Sequence, residues 1–146
     1  MHIALGADHA GYQLKDSLKR ELDELGITYR DFGTATADSV DYPDFARAVA
    51  VGVSRGEFDR GILVCGSGVG MAIAANKVAG VRSAPVADAE GARMARKHND
   101  INVLALGARV TPEPLAHEIV RAFLQTPFEG GRHLGRVQKI HAMERD

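Results

Sequence analysis

Cysteine is almost absent from this 146-residue chain: Cys65 is the only one. A single cysteine can form neither an internal disulfide nor a thiolate metal cluster, so a reducing, cytoplasmic setting is expected. Net charge is nearly absent as well. Eighteen Lys and Arg stand against nineteen Asp and Glu, a formal −1. That balance argues against general nucleic-acid binding, which needs a basic excess. Long apolar runs are missing too. The longest uncharged stretch, residues 61–76, is interrupted by four glycines and is too short to cross a bilayer. Residues 1–8 show no basic flank followed by a long apolar run, so no signal peptide is expected. None of the six histidines stands four residues from another, so no metal site is expected from their spacing. There is no internal repeat, low-complexity segment or linker.

What is present is ordinary for a folded domain: 45% hydrophobic and 25% charged residues. The length suits one domain, 1–146, around one core. Short β-branched runs alternate with helical periods. Strands are expected at 2–7, 27–32, 61–65, 81–87 and 102–106. Pro85 marks the fourth as an edge or irregular strand. Between them, Leu14, Leu18, Leu22 and Leu25 keep helical spacing up to Gly26, and Phe45, Val49 and Val53 follow Pro43 in the same way. Further helices are expected at 72–78 and 89–97, from Pro112 through Leu115, Ile119 and Phe123, and at about 132–144. Strands alternating with helices predict an α/β fold of three layers, with a five-stranded parallel sheet covered on both faces. In such sheets ligands bind beyond the carboxyl ends of the strands.

That rule directs attention to Cys65, where a buried apolar run enters Gly66-Ser67-Gly68-Val69-Gly70. The glycines bare the backbone, and a helix follows whose first amides lack intrahelical partners. Such a loop holds a negative oxygen. It lacks the Lys-Ser/Thr ending of nucleotide triphosphate loops, and it follows the third strand, not the first. A thiolate at a helix N-terminus can serve as base or nucleophile. Cysteine is equally a common packing residue, and Ser67 equally a plain loop hydroxyl. Asp8 and His9 end the first strand as an acid–base pair or as a helix cap. His98 and Asn99 close a helix, where His suits the dipole and Asn the left-handed cap. Arg132 and Arg136 share a helix face that can fork onto one dianion, or simply be solvated. Gly130 and Gly131 let backbone approach a phosphate beside them.

Taken together and in order, GADHAGYQLK, DYPDFA, CGSGVGMAIAANK, RKHNDINVLALGAR and EGGRHLGRV resemble the type B ribose-5-phosphate isomerase family. That family also contains galactose-6-phosphate and allose-6-phosphate isomerases. The resemblance spans nearly the whole chain. It implies a Rossmann-like fold and an aldose–ketose isomerase that uses neither metal nor organic cofactor. It implies Cys65 as the base moving a proton between C1 and C2, with the Gly66, Gly68, Val69 and Gly70 amides around the enediolate oxygen. It implies Ser67 in place of a commoner threonine, and Asp8 and His98 in ring opening. His9, Arg109, Arg132 and Arg136 match phosphate-side positions, and Tyr42 and Asn99 match contacts to sugar hydroxyls. Met71 occupies the place of a glutamate base used by one branch of the family. The resemblance further implies a homodimer, often paired again into tetramers, with His98, Asn99 and Arg109 supplied across the interface. A different class, a flavodoxin-like module that binds a nucleotide or flavin without catalysis, would explain the fold and the loop but not Cys65, His98 and the arginine pair together.

Overall fold

The computed structural model describes residues 1–145. Five strands, β1 (His2–Ala7), β2 (Thr28–Asp31), β3 (Arg60–Cys65), β4 (Ser83–Pro85) and β5 (Val103–Gly107), form one sheet in the order β2-β1-β3-β5-β4. Every pairing is parallel. Six helices connect and cover them: α1 (Tyr12–Glu24), α2 (Tyr42–Ser54), α3 (Val69–Ala75), α4 (Ala89–Asn99), α5 (Glu113–Gln125) and α6 (Arg132–Ala142). A 3₁₀ turn, Met143–Arg145, follows α6.

The period-two alternation of each central strand sorts its side chains between two layers. Ile3 and Leu5 of β1, Ile62 and Val64 of β3, and Leu104 and Leu106 of β5 pack with Leu18 and Leu22 of α1 and with Ile119 and Phe123 of α5. The intervening residues, Ala4, Leu63, Cys65, Val103 and Ala105, face the other way. There they meet Val49 and Ala50 of α2 and Met71, Ala72 and Ala75 of α3. Because both faces are covered, the strands read as unbroken apolar runs. Full burial of each Leu, Ile or Phe contributes about 1.5–3 kcal/mol.

The boundaries differ from the sequence reading where local signals are weak. α3 begins at Val69, inside the glycine-rich loop, because small residues and Gly70 hide its helical period. β4 shrinks to three residues on the sheet edge and pairs only with β5. Pro85 has no N–H to give, so an edge suits it. The left-handed cap of α4 is Asp100 (φ 49°), not Asn99, which is the last helical residue. Arg96 Nη1 holds Asp100 Oδ1 at 2.7 Å and explains the cap. The final helix stops at Ala142.

One charged group is fully enclosed. Lys15, on the buried face of α1, has no exposure, and its Nζ lies 2.7 Å from each oxygen of Asp31 and from Thr34 O. The three bonds tie α1 to the end of β2 and to the loop that leaves it. Burial acts to raise the Asp31 pKa, but hydrogen bonds from Lys15, Lys19 and the Gly33 N–H outweigh it and hold the carboxyl below its ordinary value.

Removing Asp31 strands the enclosed Lys15 ammonium, whereas without Lys15 the Asp31 carboxylate keeps Lys19 and the Gly33 N–H. Asp31→Asn is therefore expected to cost about 3–5 kcal/mol in urea unfolding at pH 7, and Lys15→Met/Asp31→Asn should recover part of the loss. Asp31 is depressed in the folded state, so its contribution is complete above its unfolded pKa of about 3.9 and disappears as pH falls through the lower folded value. A wild-type advantage over Asp31→Asn that persists unchanged below that value would contradict the assignment.

Candidate active site

The strand order places a switch point between β1 and β3. The connection from β1 runs through α1 on one face, and the connection into β3 runs through α2 on the other. A crevice therefore opens above the carboxyl ends of these two strands. Asp8 and His9 enter it from β1, and Cys65 to Gly70 enter it from β3.

Alternation turns Cys65 toward the α2–α3 layer, where it is 4% exposed. The Gly68 N–H donates to Cys65 Sγ at 3.2 Å. Gly68 sits at φ 80°, a left-handed conformation that glycine adopts without strain. A Cβ there would lie 3.0 Å from the Leu106 carbonyl carbon. The loop is fastened to the chain beyond β5 by two bonds: Ala108 N to Cys65 O at 2.7 Å and Arg109 N to Gly66 O at 3.0 Å. The Ser67 hydroxyl accepts from the Val69 N–H at 3.3 Å. Met71 is fully buried among apolar side chains, as suits a residue that carries no proton.

Neighbouring side chains close over the loop. A Cβ on Gly66 would lie 3.1 Å from the Arg109 guanidinium, and one on Gly70 would lie 2.6 Å from the Tyr42 ring. These two glycines therefore let Arg109 and Tyr42 lie directly on the loop backbone. Asp8 is buried, and its Oδ1 accepts from Ala10 N at 3.0 Å and Gly11 N at 3.1 Å. The capping role and the site position thus coexist, with Oδ2 left out of the turn. The His9 Nδ1 accepts from Val40 N at 3.2 Å and anchors the loop ahead of α2.

His98, Asn99, Arg132 and Arg136 assemble elsewhere. In a β–α–β unit the helix runs back along the sheet, so the end of α4 lies by the start of β5. The four steps from Val103 to Gly107 separate the two ends of β5 by about 13 Å. Glu129 N donates to Lys97 O at 3.1 Å and brings the start of α6 to the end of α4. The His98 and His133 rings stack there, with centroids 4.3 Å apart and planes 14° from parallel. Burial lowers the His133 pKa, and the charges of His98 and Arg132 lower it further. One ligand atom each from His98, Glu129 and His133 lies within 4.8 Å of the others. Histidine spacing hid this group, because the fold, not the sequence, joins His98 to His133. The only local signal was Glu129 four residues before His133.

The candidate residues thus fall into two clusters. One, at the carboxyl ends of β1, β3 and β5, holds Asp8, His9, Tyr42, Cys65, the Gly66–Gly70 loop and Arg109; the resemblance implied that Arg109 reaches a partner's site, but its backbone bond to Gly66 fixes it on the loop of its own chain. The other, at the opposite edge of the sheet, holds His98, Asn99, Arg132 and Arg136. No helix among the described residues is long and apolar enough to cross a membrane.

A thiol facing loop amides at the carboxyl edge of a doubly covered parallel sheet, on the same edge as a carboxylate and an imidazole, suits the class of α/β proteins that bind metabolites there. Comparison with known proteins narrows it. Residues 3–140 match the family model described as Ribose/Galactose Isomerase. The chain is 48% identical to ribose-5-phosphate isomerase B of Escherichia coli (strain K12), over 97% of this chain and 95% of that one. It superposes on ribose-5-phosphate isomerase B of Clostridium thermocellum with a TM-score of 0.98, at 50% identity, covering 99% and 98% of the two chains. The same protein of Mycoplasma genitalium, solved with bound ribulose-5-phosphate, matches with a TM-score of 0.96 and 41% identity over 99% and 97%. The chain belongs to the ribose/galactose isomerase family, as a sugar-phosphate isomerase similar to the type B enzymes.

Gly68→Ala should place a Cβ against the end of β5 and pull the amide away from Cys65. The expected result is a stability loss of about 1–3 kcal/mol with a fall in turnover larger than the rise in KM. Unchanged kcat would show that the Gly68 amide does not need its present position.

Proposed function

We propose that the protein interconverts ribose 5-phosphate and ribulose 5-phosphate through an enediolate, with Cys65 as the base. The observation that carries this reading is the Gly68 N–H on Cys65 Sγ at the mouth of the loop. A donor aimed at sulfur stabilises negative charge there, and the remaining loop amides supply donors to a nearby oxygen. The bound ribulose-5-phosphate of the Mycoplasma genitalium relative supports the choice of substrate. Allose 6-phosphate and galactose 6-phosphate are the alternatives within the family.

The chemistry follows from the positions. Asp8 Oδ2 and His98 assist opening of the sugar ring. The Cys65 thiolate takes the proton from C2 of the open aldose, and the electron pair moves onto the C1 carbonyl oxygen. Amides of Gly66, Gly68, Val69 and Gly70 hold that oxygen. The Ser67 hydroxyl passes a proton between the two oxygens, and the thiol returns its proton to C1 to give the ketose. His9, Arg109, Arg132 and Arg136 clamp the phosphate, and Tyr42 and Asn99 contact hydroxyls. The clamp lets binding energy at the phosphate orient the reacting carbons. No step calls for a metal or organic cofactor.

Read as two half-sites at opposite edges of the sheet, these clusters form a complete site when two chains meet. A homodimer related by a two-fold axis brings the His98 half-site of each chain onto the Cys65 half-site of the other. Exposed apolar residues support such an interface. Val69 (49%) and Ile73 (58%) lie on α3, and Leu134, Ile140 and Met143 lie on or just after α6.

Cys65→Ala is expected to lower kcat on ribose 5-phosphate by about 10³ or more while leaving sugar-phosphate binding intact; retained turnover would reject Cys65 as the base. Comparing kcat/KM on ribose, allose and galactose phosphates tests the substrate, with the pentose expected to lead. For the shared site, Cys65→Ala and His98→Asn homodimers should each be inactive. Random re-pairing of equal amounts makes half of the dimers mixed, each with one intact site, so about one quarter of wild-type activity should return. No recovery once native mass spectrometry confirms mixed dimers would reject site sharing.

A further inference from the structure

The group at the start of α6 has a polar atom that the proposed reaction does not use. His133 is 5% exposed, and its Nε2 has no hydrogen-bond partner among the described residues. An unpaired imidazole nitrogen in such a place is costly unless something else binds it. The nearest carboxylate oxygen, Glu129 Oε1, is 3.8 Å away, too far for a hydrogen bond. His98 stacks on the other side. Three potential ligand atoms, two imidazole nitrogens and one carboxylate oxygen, lie within 4.8 Å of one another in this group.

We propose that His98, Glu129 and His133 bind one divalent transition-metal ion of the zinc class, and that this ion inhibits the isomerase by occupying the imidazole of His98. The inhibitory half rests on the reading of His98 as a ring-opening residue; the binding half does not. Two atoms 3.8 Å apart can both lie about 2.1 Å from one ion at an angle of roughly 130°, near the range of a distorted tetrahedron. His98 completes the set. It is only partly buried, so it can swing its nitrogen out of the stack toward the ion while His133 stays fixed. Water fills the remaining position, as in open zinc sites.

Ligand chemistry selects the metal. Two imidazoles and one carboxylate suit zinc, cobalt or nickel, whereas magnesium and calcium prefer oxygen alone. The local field is mixed. Arg132 and Arg136 oppose a cation, while the Glu129 carboxylate and the carbonyl end of α4 favour one. A modest affinity follows, of the kind suited to reversible inhibition. Metal binding and ring opening compete for His98, so the ion and the sugar phosphate exclude one another.

The test uses the full-length protein, freed of metal by chelation and kept in phosphate-free buffer. Zinc chloride is titrated by calorimetry, and cobalt chloride is followed by visible absorption. The expected result is one ion per chain with a Kd of about 1–10 μM and no thiolate-to-cobalt charge-transfer band. Isomerase inhibition should track occupancy and reverse with chelator. Glu129→Gln, an exposed substitution, should weaken binding by about tenfold or more and shift inhibition equally, with metal-free turnover unchanged. Cys65→Ala should bind zinc as the wild type does. Binding only in the millimolar range, or binding lost in Cys65→Ala and kept in Glu129→Gln, overturns the site; binding without inhibition overturns the regulatory role. A chain inactive on every sugar phosphate would refute the proposed function, while calorimetry and the cobalt spectrum would still read the metal site.

Discussion

The parallel hydrogen-bonded ladder through β1, β3 and β5 is the constraint from which the rest of the molecule follows. Parallel pairing sends every strand in one direction and every connecting helix back the other way. All strand carboxyl ends then share one edge, and the helix carboxyl ends share the opposite edge. The register pairs Ala7 with Val64 and Cys65 with Gly107, so Asp8 and Cys65 emerge level with Gly107, and Arg109 follows two residues on. The same rule carries His98 and Asn99 to the far edge. A single chain of this fold cannot unite them, however its side chains rotate.

Much of this was legible in the chain itself. Unbroken apolar strands predicted a sheet covered on both faces, and the glycine-rich turn after Cys65 marked the loop. Pro85 correctly pointed to an edge, because a missing N–H is a local fact with a local consequence. The start of α3 was not legible, since Gly70 and small residues carry no helical period. Asp100 as the left-handed residue was missed because its cap depends on Arg96, a contact within α4 that propensity does not encode. The placing of His98 and Asn99 away from Cys65 came only from the family resemblance, which wrongly placed Arg109 with them. Motif order along the chain says nothing of which edge a residue reaches; only the handedness and direction of the crossovers decide that.

Buried charge shows a similar contrast between local and global causes. Lys15 lies within a run of helical spacing and looks like a surface residue, yet it is fully enclosed and triply bonded. Its role is to set the path of the chain from β2 into the loop containing Thr34, and hence toward Val40, whose N–H meets His9. The clamp outside the crevice and the imidazole inside it are thus linked through one loop. Breaking a buried pair costs far more than a surface pair, so this loop is held by a strong tether.

His133 brings these threads together. Burial normally selects against a ring nitrogen without a partner, and a fold that can place Lys15 with three acceptors is able to satisfy its polar groups. One of two exceptions among the described residues, the other being the Ser83 hydroxyl, falls beside His98, at the end of α4, where the carbonyl ends of a helix collect negative potential. The imidazole stacked on His98 leaves its unpartnered Nε2 near Glu129 and holds the second ring in a defined plane. The same arrangement that would orient His98 for a partner subunit's sugar therefore also creates the nearest competitor for its nitrogen. On the proposed reading of His98, orientation of a proton-transferring imidazole and affinity for a zinc-class cation draw on one lone pair, and a site built for the first is exposed to the second.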